Sequence, residues 1–345
     1  MAWGRKKPTL RGPDDLAQAW RRGLRAAVSE DWPSAETWLE RIVEADSADL
    51  DAYHALARLY RRQGAVGRAI RMHQNLLLQA DLSKNDRIDG LFELARDFEA
   101  GGFSDRAAAT YEEFLDLRPR HAEAIERIIP LLSDQREFTR ALALIKRLRR
   151  LDVEAAERLE TELLLDRARC ALNEGDHDTA RKALKRLLRR HKTCAKAWAM
   201  LGELETERGK TAKALDAWKR AATSDAEVAR ELYSKIQAGF AAKGKPADFD
   251  AYVRDILTAR PTDAFALVAL ARALASRGET HAAIEELSRA IELGSDSAPT
   301  SDSIALHAER GRQLLATQQD AEALKAYGEL IDALNRPSAE EETLV

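Results

Sequence analysis

Small residues return along this 345-residue chain at a fixed interval. Alanines that open amphipathic stretches stand at Ala35, Ala69, Ala107, Ala141, Ala180, Ala214, Ala283 and Ala323, separated by 34, 38, 34, 39, 34, 69 and 40 residues. The base period is 34, and the 69-residue step is two units. A period in this range belongs to stacked supersecondary units, each too short to bury its own apolar face, so the chain must fold as an array rather than around one central core. Hydrophobic residues at 45% and charged residues at 33% supply both a core and a solvated exterior, and six per cent aromatics with nine prolines favour helices over strands.

Other positions keep the same step. Tyr53, Leu56, Ala57 and Tyr60 precede Gly64, and Leu91, Leu94, Ala95 and Phe98 precede Gly102. Trp198, Leu201, Gly202, Gly209, Ala214, Trp218 and Ala221 repeat the scheme. Small residues let two helices approach closely, large ones fill the space to the next pair, and the glycine provides the left-handed conformation that ends the first helix. The pattern resembles the tetratricopeptide repeat. It predicts an all-α α-solenoid, a right-handed superhelix of about nine helix-turn-helix repeats over residues 14–336. A basic flexible segment (1–13) precedes it and an acidic disordered tail (337–345) follows. Three units deviate. Arg136 takes the glycine position of the fourth, where Pro130 should kink or shorten the first helix; Phe249 replaces the alanine of the seventh; His307 and Arg310 fall at packing positions of the ninth. Insertions are expected at "DLSKND", "LDVEAAERL" and "GSDSAPTSDS", the last a flexible connection.

Composition excludes several classes. The formal net charge of −3 gives no global field for nucleic acid, and the longest apolar run, Ala264–Ala271, is eight residues against the roughly 20 needed to span a bilayer. Two cysteines, Cys170 and Cys194, make no disulfide framework and suit a reducing compartment, so the cytoplasm is the expected location. No phosphate loop, nucleophile elbow or metal-binding helix motif is present. "EGDHD" at 174–178 reads as the turn of the fifth unit, with Asp176 or Asp178 capping the next helix. His191 and Cys194 are too few for a structural zinc. The expectation is a non-enzymatic binding protein with no cofactor and no small-molecule substrate.

Three groups of residues are candidates for binding. First-helix positions of such repeats line the concave face, which gives Asp51, His54, Arg58, Arg61 and Arg62 in the second unit and Phe92, Arg96 and Glu99 in the third. Arginines beside an aromatic ring could clamp a carboxylate-bearing extended segment, or could be scattered surface charge. The second group is the basic run "ARKALKRLLRRHK" (180–192), with Arg181, Lys182, Lys185, Arg186, Arg189 and Arg190, echoed by "RALALIKRLRRLD" (140–152). It reads as a solvated convex face or as a contact for anionic lipid or an acidic protein segment; with Arg5, Lys6 and Lys7 it would allow peripheral membrane contact. Specific RNA binding is disfavoured because no aromatics interleave.

The third group lies in "GRAIRMHQNLLLQADL" (67–82). His73 takes a position normally filled by a packed large residue and reads as a partly buried, hydrogen-bonded core histidine; Arg71 and Gln74 read as solvated or as contacts to the next unit. Arg68, Arg71, His73 and Gln74, followed by Leu94-Ala95-Arg96-Asp97 and by Gly102 to Ala107, are similar to the corresponding stretch of the lipopolysaccharide assembly protein B family. That resemblance, over about residues 20–290, implies an adaptor at the cytoplasmic face of the inner membrane. Its partners there would be a membrane AAA+ protease and the zinc deacetylase that commits lipid A synthesis. Family members also carry an N-terminal transmembrane helix and a C-terminal rubredoxin-like module with two Cys-x-x-Cys pairs; the sequence here shows neither, and those parts are not carried over.

Overall fold

The computed structural model describes residues 12–46, 49–293 and 301–334. Among them the chain forms eighteen α-helices and no strand, paired in order as helix-turn-helix units. In chain order they are α1 (Pro13–Val28), α2 (Trp32–Ala45), α3 (Leu50–Arg62), α4 (Val66–Leu77), α5 (Lys84–Ala100) and α6 (Ser104–Leu117). Next come α7 (Ala122–Asp134), α8 (Phe138–Leu148), α9 (Val153–Asn173), α10 (His177–Arg190), α11 (Ala195–Glu207) and α12 (Thr211–Ser224). The last six are α13 (Ala226–Ala242), α14 (Ala247–Ala259), α15 (Ala264–Ser276), α16 (Thr280–Leu293), α17 (Ser301–Ala316) and α18 (Asp320–Leu334). Two compact units result, residues 1–163 and 164–345, with the division falling inside α9. The basic segment expected at the N-terminus, except Gly12 and Pro13, the acidic tail and most of the "GSDSAPTSDS" insertion lie outside the described residues.

The period becomes a packing rule. All eight alanines that mark it are buried, because a methyl group is the largest side chain that two closely approaching helices admit there. In the first unit Ile42, Leu56 and Tyr60 fill one core, and Tyr111, Phe114, Ile125, Ile128 and Ile145 another. In the second unit Trp218, Ile236, Phe249, Val253 and Leu270 do the same. Phe249 is accommodated where alanine was expected by packing edge-on against Phe240, with ring centroids 6.3 Å apart.

Turn chemistry repeats as strictly. Each pair contains one residue with positive φ: Gly64, Gly102, Gly175, Gly209, Gly244 and Gly278, and in the remaining three pairs Glu30, Arg136 and Gln318. The backbone therefore makes the turn even where the glycine is missing, at a cost of roughly 1–2 kcal/mol per residue with a Cβ. Pro130 does not shorten its helix, which runs unbroken from Ala122 to Asp134. The proline lies on the exposed face, where water can satisfy the carbonyl it leaves without a donor.

First helices are capped from one position. Asp49, Ser83, His121, Asp152, Asp225 and Asp263 each accept a hydrogen bond from a backbone N–H three residues on. Cys194 occupies the same position before α11 with φ −68° and ψ 95°, against −68° and 94° at Asp263, and makes no such bond. Cys194→Asp is accordingly expected to raise the stability of the second unit by about 1 kcal/mol, read as an upward shift of its thermal midpoint; an unchanged midpoint would refute the assignment.

Candidate functional site

The residues singled out in the first unit converge on one buried polar network. His73, on α4, and Asp97, on α5, are both 0% exposed, and His73 Nδ1 lies 2.5 Å from Asp97 Oδ2. His73 Nε2 is 3.1 Å from Nδ1 of His54 on α3. The carboxylate takes a proton from His73 Nδ1, and a single proton lies between His73 Nε2 and His54 Nδ1. On the other side Asp97 Oδ1 accepts from Arg61 at 2.7 Å. Arg61 also donates to Glu93 Oε2 at 2.9 Å, and Glu93 Oε1 accepts from Arg58 at 2.7 Å and from Arg96 at 3.3 Å. Every charged member thus meets an opposite charge, the condition for tolerating charge in an interior.

This network redistributes the groove candidates. The Arg61 side chain is only 14% exposed and is committed to α5. Phe92 packs on Phe114 and His121 with centroids 5.0 and 4.8 Å away, and Glu99 accepts from the Tyr111 hydroxyl at 2.6 Å. Asp51, Arg58 and Arg62 keep exposed side chains, although Arg58 holds Glu93 and Arg62 lies 4.4 Å from the Trp32 ring. In the remaining motif, Arg71 and Gln74 are exposed, while Arg68 sits 3.9 Å from the Tyr60 ring and pairs with Glu36 and Glu40. Glu93 was missed as a candidate. Its spacing of four from Asp97 puts two carboxylates on one helix face amid apolar residues, which was the available signal. With no solvent access, His73 and Asp97 cannot meet a ligand in this conformation; they fasten α3, α4 and α5 together.

Acidification should loosen that fastening. Burial, helped by the neighbouring His73, pushes the His54 imidazole below its ordinary value. Burial by itself would raise Glu93, but hydrogen bonds from Arg58 and Arg61 outweigh it and hold the carboxyl at about 2. A base with a depressed value stabilises above its ordinary value near 6.5 and loses that contribution as pH falls through it. Glu93 follows only below about 4.5, where the unfolded carboxyl protonates. Melting of the first unit is expected at lower temperature at pH 5 than at pH 7.5, and His54→Gln should flatten this limb. An identical pH profile in the variant would remove His54 from the account.

The basic run in the second unit is not one uniform solvated face. Arg181 turns toward α11 and pairs with Glu205 at 3.2 Å. Lys182, Lys185 and Arg189 line a cavity of about 1060 Å³ together with Lys192, Trp198, Leu201, Lys219, Arg220 and Tyr252. The run itself contains no aromatic residue, but tertiary folding brings Trp198 from α11 and Tyr252 from α14 beside it. At "EGDHD", Gly175 makes the turn and Asp176 caps α10 through Thr179 N–H, as the spacing suggested. Among the described residues no group of three or more His, Cys, Asp or Glu side chains could hold a metal.

Comparison with known proteins agrees with the geometry. The tetratricopeptide repeat profile matches residues 92–152, 126–181 and 165–229. Residues 92–229 thus carry tetratricopeptide repeats, and helix-turn-helix pairs of the same kind continue on either side of them. The chain is similar to lipopolysaccharide assembly protein B of Escherichia coli (strain K12), with 24% identity over 277 residues, 80% of this chain and 71% of that protein. The Haemophilus influenzae protein of the same name is 28% identical over 171 residues, 48% of this chain and 41% of its own. Among solved structures, a tetratricopeptide repeat protein from Parabacteroides merdae overlays with a TM-score of 0.43 at 14% identity, covering 87% of this chain and 98% of that one. No helix among the described residues is long and apolar enough to cross a membrane.

Proposed function

We propose that this chain is a non-enzymatic scaffold that binds other proteins, and that its setting is lipopolysaccharide assembly. The observation that carries the setting is the length of the similarity: 277 residues exceed either compact unit, so it extends through both rather than through a few generic repeats. Binding is supported by what the repeats leave over after packing. Arg62, beside Glu30, and the outer part of Arg58, which also holds Glu93, stay exposed on α3, and the cavity beside α10 is rich in cations. On this reading the chain works in the cytoplasm at the surface of the inner membrane, and its partners are a membrane AAA+ protease and the deacetylase that commits lipid A synthesis.

Immobilised full-length chain should retain the purified deacetylase or protease of its own organism, and bare resin should not. Arg58→Ala combined with Arg62→Ala should reduce retention at least tenfold with unchanged helicity. Failure to retain either protein, together with unaltered lipopolysaccharide levels on deletion, would sink the proposed setting.

A further inference from the structure

The cavity of the second unit is chemically one-sided. Six cationic side chains border it: Lys182, Lys185 and Arg189 from α10, Lys192 from the turn that follows, and Lys219 and Arg220 from α12. No carboxylate lines it. Some cations elsewhere in the second unit do find carboxylates. Arg181 finds Glu205, Lys235 finds Glu203 and Arg254 finds Glu286. Among the described residues, none of the six forms an ion pair. Like charges gathered around one hollow repel each other and attract an anion from outside.

The floor has a different character. Leu188, Trp198, Leu201 and Tyr252 supply apolar surface. Their polar atoms are already used, since the Trp198 indole donates to the Lys192 carbonyl at 2.7 Å and the Tyr252 hydroxyl to the Lys219 carbonyl at 3.1 Å. Cations also cover the rings, with Arg220 4.7 Å from the Trp198 centroid and Lys219 5.0 Å from that of Tyr252. Each ring has a face taken by its own cation, and with only these two rings lining the cavity there is no run of aromatics on which successive bases could stack, which disfavours nucleic acid. Distribution of the charge disfavours a single phosphorylated headgroup. From Lys182 to Arg189, α10 advances about 10 Å, the length of about three residues of extended peptide, and Lys192, Lys219 and Arg220 enlarge the basic rim.

We propose that this cavity binds an acidic segment of a partner protein, with a bulky aliphatic or aromatic side chain seated on the Leu188–Trp198–Leu201 floor and carboxylates on either side met by the six cations. The proposal deepens the scaffold reading and rests on it. It names the chemistry of the partner: an extended, acid-rich stretch interrupted by one or two large apolar residues.

The test uses the full chain and a fluorescein-labelled nine-residue peptide with glutamates flanking a central Leu-Phe pair, followed by anisotropy in 100 mM salt. Saturable binding is expected. Lys185→Glu with Arg189→Glu should weaken it at least twentyfold, and replacing the Leu-Phe pair by Ser-Ser at least fivefold. Lys243→Glu, an exposed change in the same unit away from the cavity, should leave it unaltered; circular dichroism verifies that each variant keeps its helicity. Indifference to the Leu-Phe pair or to the double charge reversal overturns the proposal. So does tighter binding of phosphatidylglycerol vesicles or poly(U) that the double reversal abolishes, since the cavity would then serve lipid or RNA. If the peptide fails to bind while the deacetylase or protease is still retained by the immobilised chain, this cavity is not the docking site and the scaffold reading stands.

Discussion

Replacing Asp97 by alanine is expected to lower the stability of the first unit by about 3–5 kcal/mol, the usual cost of removing one partner from a buried charged pair. Three losses coincide. The Arg61 guanidinium loses a bond of 2.7 Å and keeps only Glu93; His73, fully buried, loses the acceptor for its Nδ1–H; and the space of the carboxylate is left empty. His54 is then linked to a ring with no fixed tautomer. Asp97→Asn should fall between wild type and Asp97→Ala, because its amide offers one acceptor to two donors and aims an N–H at one of them. Chemical denaturation followed by circular dichroism measures both. A loss under about 1 kcal/mol for the alanine variant would mean that water replaces the carboxylate and that the network contributes little.

The second large effect is steric. Gly202, in the middle of α11, lies against Trp218 of α12 so closely that a Cβ would sit 2.2 Å from Nε1 and 2.3 Å from Cδ1 of the indole. Trp218 is only 8% exposed and surrounded by core residues, so it cannot swing away cheaply. Gly202→Ala should gain up to about 1 kcal/mol in helix propensity yet destabilise the second unit by about 2–3 kcal/mol net through overpacking. Thermal unfolding combined with tryptophan fluorescence reads the displacement. A stabilised Gly202→Ala would show that the indole relocates freely, and the close-approach argument for this position would fail. The comparison with Ala57 and Ala95, which fill the equivalent small position in earlier repeats and are fully buried, isolates Trp218 as the cause.

The recurrence of alanine, aromatic and glycine every 34 residues determined the helix pairs, most of their cores and six of the nine left-handed turns. Such features are local: whether a residue is small enough for a close approach, or lacks a Cβ where φ is positive, depends on its own position in a repeat. Deviations were less legible. Arg136 still makes its turn, because the helices on either side supply enough packing to impose a conformation the residue disfavours. Pro130 leaves its helix whole because it faces solvent, and exposure is not written in a single position.

Tertiary structure alone decided where the charges go. In sequence, Arg58, Arg61 and Arg62 are three similar cations; in the fold, Glu93 and Asp97 on α5 take two of them and Arg62 goes the other way, to Glu30 and the Trp32 ring. His73 was legible as a core histidine, but its bond to Asp97 depends on which side chains two different repeats bring within 3 Å. The run at 180–192 likewise reads as uniformly basic, yet packing sends Arg181 to Glu205 and gathers Lys182, Lys185 and Arg189 around rings from two other helices. Periodicity speaks for the backbone because its cause lies within each repeat. Pairing of charge is settled between repeats, over distances of a few ångströms that only folding creates.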